Sequence, residues 1–204
     1  MEDRGPALAE RTAHFDRRTR ETQIRVEVNL DGTGQSAIET PLPFLSHMLE
    51  QVARHGGLDL MVRAQGDAEV DGHHTTEDLG FVLGKAVLGA VGSACGIRRY
   101  GAATLPMDEA LVTAAIDLSA RPLLVWRVPL PKAKIGSWDA ELASVFFDGF
   151  ARGCQTTTHL HLLAGDNLHH IVEATFKAFA RALRQALEWD PRLRGIPSTK
   201  GVLT

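Results

Sequence analysis

The chain has 204 residues, 44% of them hydrophobic and 23% charged, with a formal net charge of −3. That length supports one sizeable domain or two small ones with real cores, and the near-neutral charge gives no electrostatic ground for a nucleic-acid or membrane-surface partner. No apolar run is long enough to span a bilayer, and residues 1–20, rich in Arg, Glu and Asp, lack a signal-peptide core, so no membrane association and a cytoplasmic location are the expectations.

In chain order, residues 1–16 show no clear period and are expected to form a flexible N-terminal arm. Ile24, Val26, Val28 and Leu30 alternate with polar residues, the pattern of a half-buried strand. Asp31-Gly32-Thr33-Gly34 is a turn signal, with Ser36–Glu39 as the returning strand of a hairpin. Residues 43–55 read as a helix stopped by Gly56-Gly57, followed by a strand at Leu58–Ala64. A loop through Asp71-Gly72 leads to His73, and a helix with apolar positions at Leu79, Val82, Leu83, Ala86 and Val87 runs towards Gly92. In the second half, strands are expected at 101–105, 110–118 and 122–128, a helix at 138–152 and a strand at 156–163. A loop at Gly165-Asp166-Asn167 precedes a long helix with Ile171, Ala174, Ala178, Leu183 and Leu187 at helical spacing.

Each half therefore ends in helix, strand, loop, double His, helix. The pairs His73-His74 and His169-His170 are offset by 169 − 73 = 96 residues. The implied architecture is α+β: two internally duplicated βαβ-type halves, residues 17–95 and 96–204, forming one compact domain with helices packed on one side of the sheets. Only Cys95 and Cys154 are present, so no disulfide framework is implied.

His73 and Glu77 are one helical turn apart, and His169 and Glu173 repeat the spacing. Each motif presents two imidazoles and a carboxylate at a helix N-terminus. Adjacent histidines diverge by about 100° on a helix, so each pair suits two different ions, or one ion here and one in a neighbouring subunit. Nitrogen and carboxylate donors without thiolates favour Mn, Fe or Zn over Mg or Ca. Asp78 reads as a supporting residue. His47, Gln51 and His55 share a face of the preceding helix and can present it to the ion. On residue types alone, a dinuclear hydrolase and a non-catalytic metal-binding or assembly protein also fit this pattern.

The segments RTRET (18–22), FLSHMLEQ (44–51), DGHHTTEDLG (71–80), RRYG (98–101), PMDEAL (106–111), DLSARP (117–122), AGDNLHHIVEATFKAFARAL (164–183) and PSTKG (197–201) resemble the imidazoleglycerol-phosphate dehydratase family over nearly the whole chain. The resemblance implies a hydro-lyase of histidine biosynthesis that dehydrates imidazole glycerol phosphate to imidazole acetol phosphate. It implies two Mn2+ ions per active site and a homo-oligomer of roughly twenty-four subunits with active sites at the interfaces. By motif position the metal ligands are His47, His73, His74, Glu77, His169, His170 and Glu173. The substrate and its phosphate fall to Glu21, Gln51, Arg99, Arg121, Lys177, Ser198, Thr199 and Lys200, the last three in a C-terminal phosphate-binding tail. Proton transfer falls to Glu21, Glu173 and Glu77. The chemistry expected is a dimetal site holding the substrate ring as imidazolate, the only electron sink available. The chain departs from the family at two places. Val145 stands where a further ligand His is usual, which affects one metal, and Ala102 replaces an Asp after the RRxG segment.

Overall fold

The computed structural model describes residues 10–203. Its elements run β1 (Thr12–Arg18), β2 (Thr22–Asn29), β3 (Ser36–Glu39), α1 (Pro43–Gly56), β4 (Asp59–Gly66) and α2 (His73–Val91). The second half continues with β5 (Tyr100–Met107), β6 (Ala110–Asp117), β7 (Leu123–Arg127), β8 (Lys134–Ile135), β9 (Trp138–Asp139), α3 (Leu142–Cys154), β10 (Thr157–Ala164) and α4 (Leu168–Leu187).

The duplication is complete at the level of topology. The first sheet has the order β1-β2-β4-β3 and the second β5-β6-β10-β7. In both, the first three strands are antiparallel and the fourth pairs in parallel with the strand that follows the intervening helix. Period-two alternation decides which face is covered. Ile24, Val26 and Val28 of β2 and Leu60 and Val62 of β4 are buried, while Gln23, Arg25, Met61 and Arg63 face outward. Among the described residues each sheet is thus covered by helices on one face, α2 lying on β1 and β2 and α4 on β5 and β6.

The two halves join through their helices. α2 packs on α3 and α1 on α4, so each half supplies one member of each cross-half pair. Between α2 and α3 the approach is backbone to backbone. Gly80 and Gly84 of α2 lie against the Phe146 and Phe150 carbonyls, and Gly149 and Gly153 of α3 against the Glu77 and Phe81 carbonyls. A side chain at any of the four would collide with main chain, which is why both helices carry a Gly every fourth residue here. Rings from α3 and α4, namely Phe146, Phe147, Phe150, Phe176 and Phe179, fill the adjoining core with centroids 4.6–5.3 Å apart. Among the described residues no helix is long and apolar enough to cross a membrane.

Three sequence expectations are corrected. Of the arm expected over residues 1–16, residues 1–9 lie outside the described residues, and Thr12–Asp16 belong to β1, an edge strand paired along its length with β2. Ser36–Glu39 is a strand but not the hairpin partner of β2: β4 intervenes, and β3 pairs with it in parallel. The helix expected from residue 138 begins at Leu142, because Trp138-Asp139 turn back on Lys134-Ile135 through Gly136, whose φ of 61° suits glycine. The start of β1 is pinned by Arg11, whose guanidinium bonds Asp31 at 2.9 and 2.5 Å and the Leu187 carbonyl at 2.5 Å, tying the first strand to the end of the last helix.

Candidate metal centre and phosphate pocket

Both double-His segments open a helix, and both openings are held by a short side chain two residues earlier. Asp71 Oδ1 accepts the His73 N–H at 2.7 Å, and Asn167 Oδ1 accepts the His169 and His170 N–H groups at 3.0 and 3.2 Å. These are first-turn donors with no partner inside the helix. The side chains are thereby fixed at the helix start. Rings within each pair stand nearly perpendicular, at 87° and 83°, with centroids 6.2 Å apart. The divergence expected of neighbouring helical positions is realised.

In the second half, His169 Nε2 lies 3.0 Å from Glu173 Oε2, and His47 Nε2, reaching across from α1, lies 3.5 Å from the same oxygen. One donor atom from each of these residues falls within 4.8 Å of the others. Glu173 is buried, and Lys177 Nζ holds its other oxygen at 2.6 Å. Burial pushes the Glu173 carboxyl up, but hydrogen bonds from Lys177 and His169 outweigh it, and the pKa lies below the ordinary value. Two imidazole nitrogens and an ionised carboxylate converging on one point are a donor set that fits a divalent transition metal.

The first half repeats the motif without the convergence. His73 Nε2 is 3.9 Å from Glu77 Oε2, and Glu77 Oε1 is taken by Arg152 of α3. The structure explains the missing donor internally. α1 ends where the Ala53 carbonyl accepts the N–H of left-handed Gly57, and α3 where the Ala151 carbonyl accepts that of left-handed Gln155. Counting back from those ends, His47 (53 − 6) corresponds to Val145 (151 − 6). Valine has no donor atom to offer.

His74 and His170 stand outside the three-donor group. His74 Nδ1 meets Asp67 at 3.0 Å and its Nε2 is 3.9 Å from Glu21. His170 Nδ1 meets Glu109 at 2.7 Å and its Nε2 is 3.6 Å from Asp108. Hydrogen bonds donated to Asp67 and to Glu109 raise the pKa of His74 and His170 respectively. The His170 bond, aided by the Asn167 N–H, brings the Glu109 carboxyl down to about 2. Carboxylates that take one ring nitrogen fix the orientation of the other. Sequence reasoning missed Asp67, Asp108 and Glu109. The duplication holds the signal: Glu21 immediately precedes β2 and Glu109 immediately precedes β6, so the two carboxylates are structural counterparts. Asp78 is structural, accepting Thr22 Oγ1 at 2.6 Å and Arg17 Nε at 3.0 Å.

The phosphate candidates assemble elsewhere. Arg99, Arg121, Ser198, Thr199 and Lys200 line one cavity of about 960 Å³. Arg99 is buried, with Nε 2.8 Å from Asp117 and Nη1 2.8 Å from the Pro197 carbonyl, so it holds the C-terminal segment in place. Arg121 is exposed and only 3.6 Å from Asp117, leaving its guanidinium able to reach a ligand. Lys177 is not among the lining residues; its ammonium is engaged by Glu173. Glu21, His74 and Glu77 line a separate cavity of about 190 Å³ together with Arg17, Asp78, Phe81 and Arg152. The two cavities share no lining residue. Gln51 is half-buried on α1, one turn after His47, and lines neither of these cavities.

Comparison with known proteins accords with this arrangement. A sequence model described as imidazoleglycerol-phosphate dehydratase matches residues 40–183. The chain is 56% identical over 193 residues to the imidazoleglycerol-phosphate dehydratase of Trichlorobacter lovleyi, covering 95% of this chain and 99% of that one. It is 53% identical to the Bordetella petrii protein of the same name over 194 residues, 95% of this chain and all of that one (100%). The crystal structure of imidazoleglycerol-phosphate dehydratase from Staphylococcus aureus superposes with a TM-score of 0.78 at 38% identity, covering 87% of this chain and 99% of that one. The Pyrococcus furiosus structure in complex with (S)-C348 superposes with a TM-score of 0.78 at 37% identity, covering 92% and 99%. The α+β fold, the duplicated halves and the sequence relationship agree, and the chain belongs to the imidazoleglycerol-phosphate dehydratase family.

Proposed function

We propose that this chain is a hydro-lyase of histidine biosynthesis that dehydrates imidazole glycerol phosphate to imidazole acetol phosphate, working in the cytoplasm with two Mn2+ ions per active site. The observation that carries the metal reading is the convergence of His47, His169 and Glu173 around a buried, ionised carboxylate. Family membership favours dehydration over the dinuclear hydrolase and the non-catalytic metal protein that the residue types alone allow.

The ions would be held by His47, His169 and Glu173 at one position and by His73 and Glu77 at the other, with His74 and His170 supplied to ions of a neighbouring subunit. When bound, they would supply Lewis acidity to both ring nitrogens of the substrate and hold the ring as imidazolate. The chain's own groups do the rest. Arg121 and Lys200 take the phosphate, with Ser198 and Thr199 as hydroxyl donors and Arg99 holding their loop through the Pro197 carbonyl. Glu21 has no Lys or Arg partner among the described residues and sits 3.9 Å from His74, which suits a carboxylate that moves protons. Glu77 and Glu173 each give one oxygen to a cation and keep the other towards an imidazole, which suits ligands more than bases. Lys177, engaged by Glu173, contributes by fixing that carboxylate, and Gln51 stands one turn after His47 on α1.

The phosphate cavity and the Glu21–His74 cavity are distinct within one subunit. This supports active sites completed across subunit interfaces of a homo-oligomer, which we take to be of roughly twenty-four subunits. The test is turnover of imidazole glycerol phosphate by protein stripped with chelator and then supplied with Mn2+. Loss and recovery of activity is the expected result; full activity in the metal-free protein would overturn the reading.

A further inference from the structure

The two half-sites are related by the internal duplication, so any difference between them is written in this chain's own residues. Two positions and one contact differ, and they bear on the paired carboxylates Glu173 and Glu77. First, His47 of α1 faces Glu173, while its counterpart on α3 is Val145, half-buried against the core. Second, Glu173 is neutralised from its own helix by Lys177 four residues on, while the residue four after Glu77 is Phe81. Third, the cation that serves Glu77 comes from across the helix pair, from Arg152 of α3.

Arg152 is stationed there by the fold. Its Nε is 2.9 Å from Asp148, one turn earlier on α3, and Gly149 and Gly153 on either side let α3 run backbone-close to α2 beneath Glu77. A guanidinium offers fixed parallel donors and no acceptor, so it can hold a carboxylate but cannot join it as a metal ligand. Lys177 and Arg152 play the same part, each taking Oε1 and leaving Oε2 towards an imidazole. The difference lies in what meets Oε2: two imidazoles at 3.0 and 3.5 Å for Glu173, and one at 3.9 Å for Glu77.

We infer that the two half-sites of this chain are unequal cation acceptors: His47–His169–Glu173 takes a divalent ion tightly, and His73–Glu77, with Val145 in the third donor's place, takes one weakly. The inference rests on the two-ion reading above and concerns only how affinity divides between the two positions. Loss of a group that merely supports a ligand weakens metal binding by roughly 10- to 100-fold, so loss of a donor should separate the two equivalents by at least about 10-fold.

The experiment is calorimetric titration of the metal-stripped full-length protein with Mn2+, with metal content after gel filtration as a second readout; neither depends on activity. Unmodified protein should show one tight equivalent per subunit and a second at least about 10-fold weaker that is lost on filtration. His169→Ala should abolish the tight equivalent. Val145→His should tighten the second equivalent. Two indistinguishable tight equivalents in the unmodified protein would overturn this inference and leave the two-ion reading intact. No Mn2+ binding in either the unmodified protein or Val145→His would overturn both.

Discussion

The glycine crossing between α2 and α3 yields a stability prediction with its own control. In Gly84→Ala the new methyl would stand 2.5 Å from the Phe150 carbonyl oxygen and 2.6 Å from the Cys154 nitrogen. Comfortable contact needs about 3.5 Å, so the helices must part by roughly 1 Å, and a gap of that size forfeits a quarter to a half of each contact along the interface. Both obstructing atoms are main chain, so no rotamer change relieves the clash. Overpacking of this kind costs about 1–3 kcal/mol. The Gly-to-Ala change returns about 1 kcal/mol of helix propensity. With main chain on both sides the cost belongs at the upper end, giving a net loss of about 2 kcal/mol. For a chain of this size that is a fall of about 4–8 °C in Tm. Gly89→Ala, on the same helix, is the control. Its methyl would meet only the Ala13 Cβ, at 3.3 Å on the edge strand β1, which has room to give. It should gain up to about 1 kcal/mol from the same propensity term. Thermal and denaturant unfolding at one protein concentration measure both. Equal stability of the two variants would refute the argument that the α2–α3 approach is set by backbone contact.

Three further outcomes are expected. Lys200→Ala should raise KM with little change in kcat, by about 1.5–3 kcal/mol in apparent binding; an unchanged KM would remove Lys200 from phosphate binding. Asp31→Asn should destabilise the fold at neutral pH by weakening the Arg11 clamp. The Arg11 hydrogen bonds hold the Asp31 carboxyl below its ordinary value, so its contribution is fully present above the unfolded value of about 4 and is lost as pH falls through the lower folded one. The stability difference between Asp31→Asn and the parent protein should therefore be constant from pH 7 to pH 5 and shrink below pH 4, and a difference that persists under acid would refute the assignment. Glu109→Gln should weaken Mn2+ retention by roughly 10- to 100-fold through a freed His170 ring, with little change in Tm; unaltered retention would show that the 2.7 Å contact orients nothing.

Most of the helices were legible in the sequence, because their signals are local. Asp71 and Asn167 before the double histidines, the Glu one turn on, and Gly57 after α1 each act within a few residues. What sequence could not supply depends on distance along the chain. β1 was missed because its inward positions are Ala13, Phe15 and Arg17, too mixed to register as an apolar alternation. The turn at Asp31–Gly34 is real, yet pairing is decided by β4, which inserts between its two flanking strands. In the site, the His–Glu spacing within each helix could be read directly. His170 and Glu109 are 61 residues apart, and Glu77 and Arg152 are 75 apart, so no spacing rule reaches either pair. Only superposing one half on the other reveals Glu109 as the partner of Glu21 and Val145 as the partner of His47.

The reciprocal docking of helices also says what kind of object each half is. A segment ending at Gly92 would carry α2 with its glycine face bare and α1 without α4, a half-molecule whose missing surface is a copy of its own topology. The fold is thus a dimer written on one strand of peptide, with exposed Gly92 and Ser93 as the seam. Cutting at that seam removes no contact between helices; it removes only the high local concentration at which one half meets the other. Two separately produced pieces, mixed at sufficient concentration, should therefore recombine into the intact fold, and neither should acquire it alone.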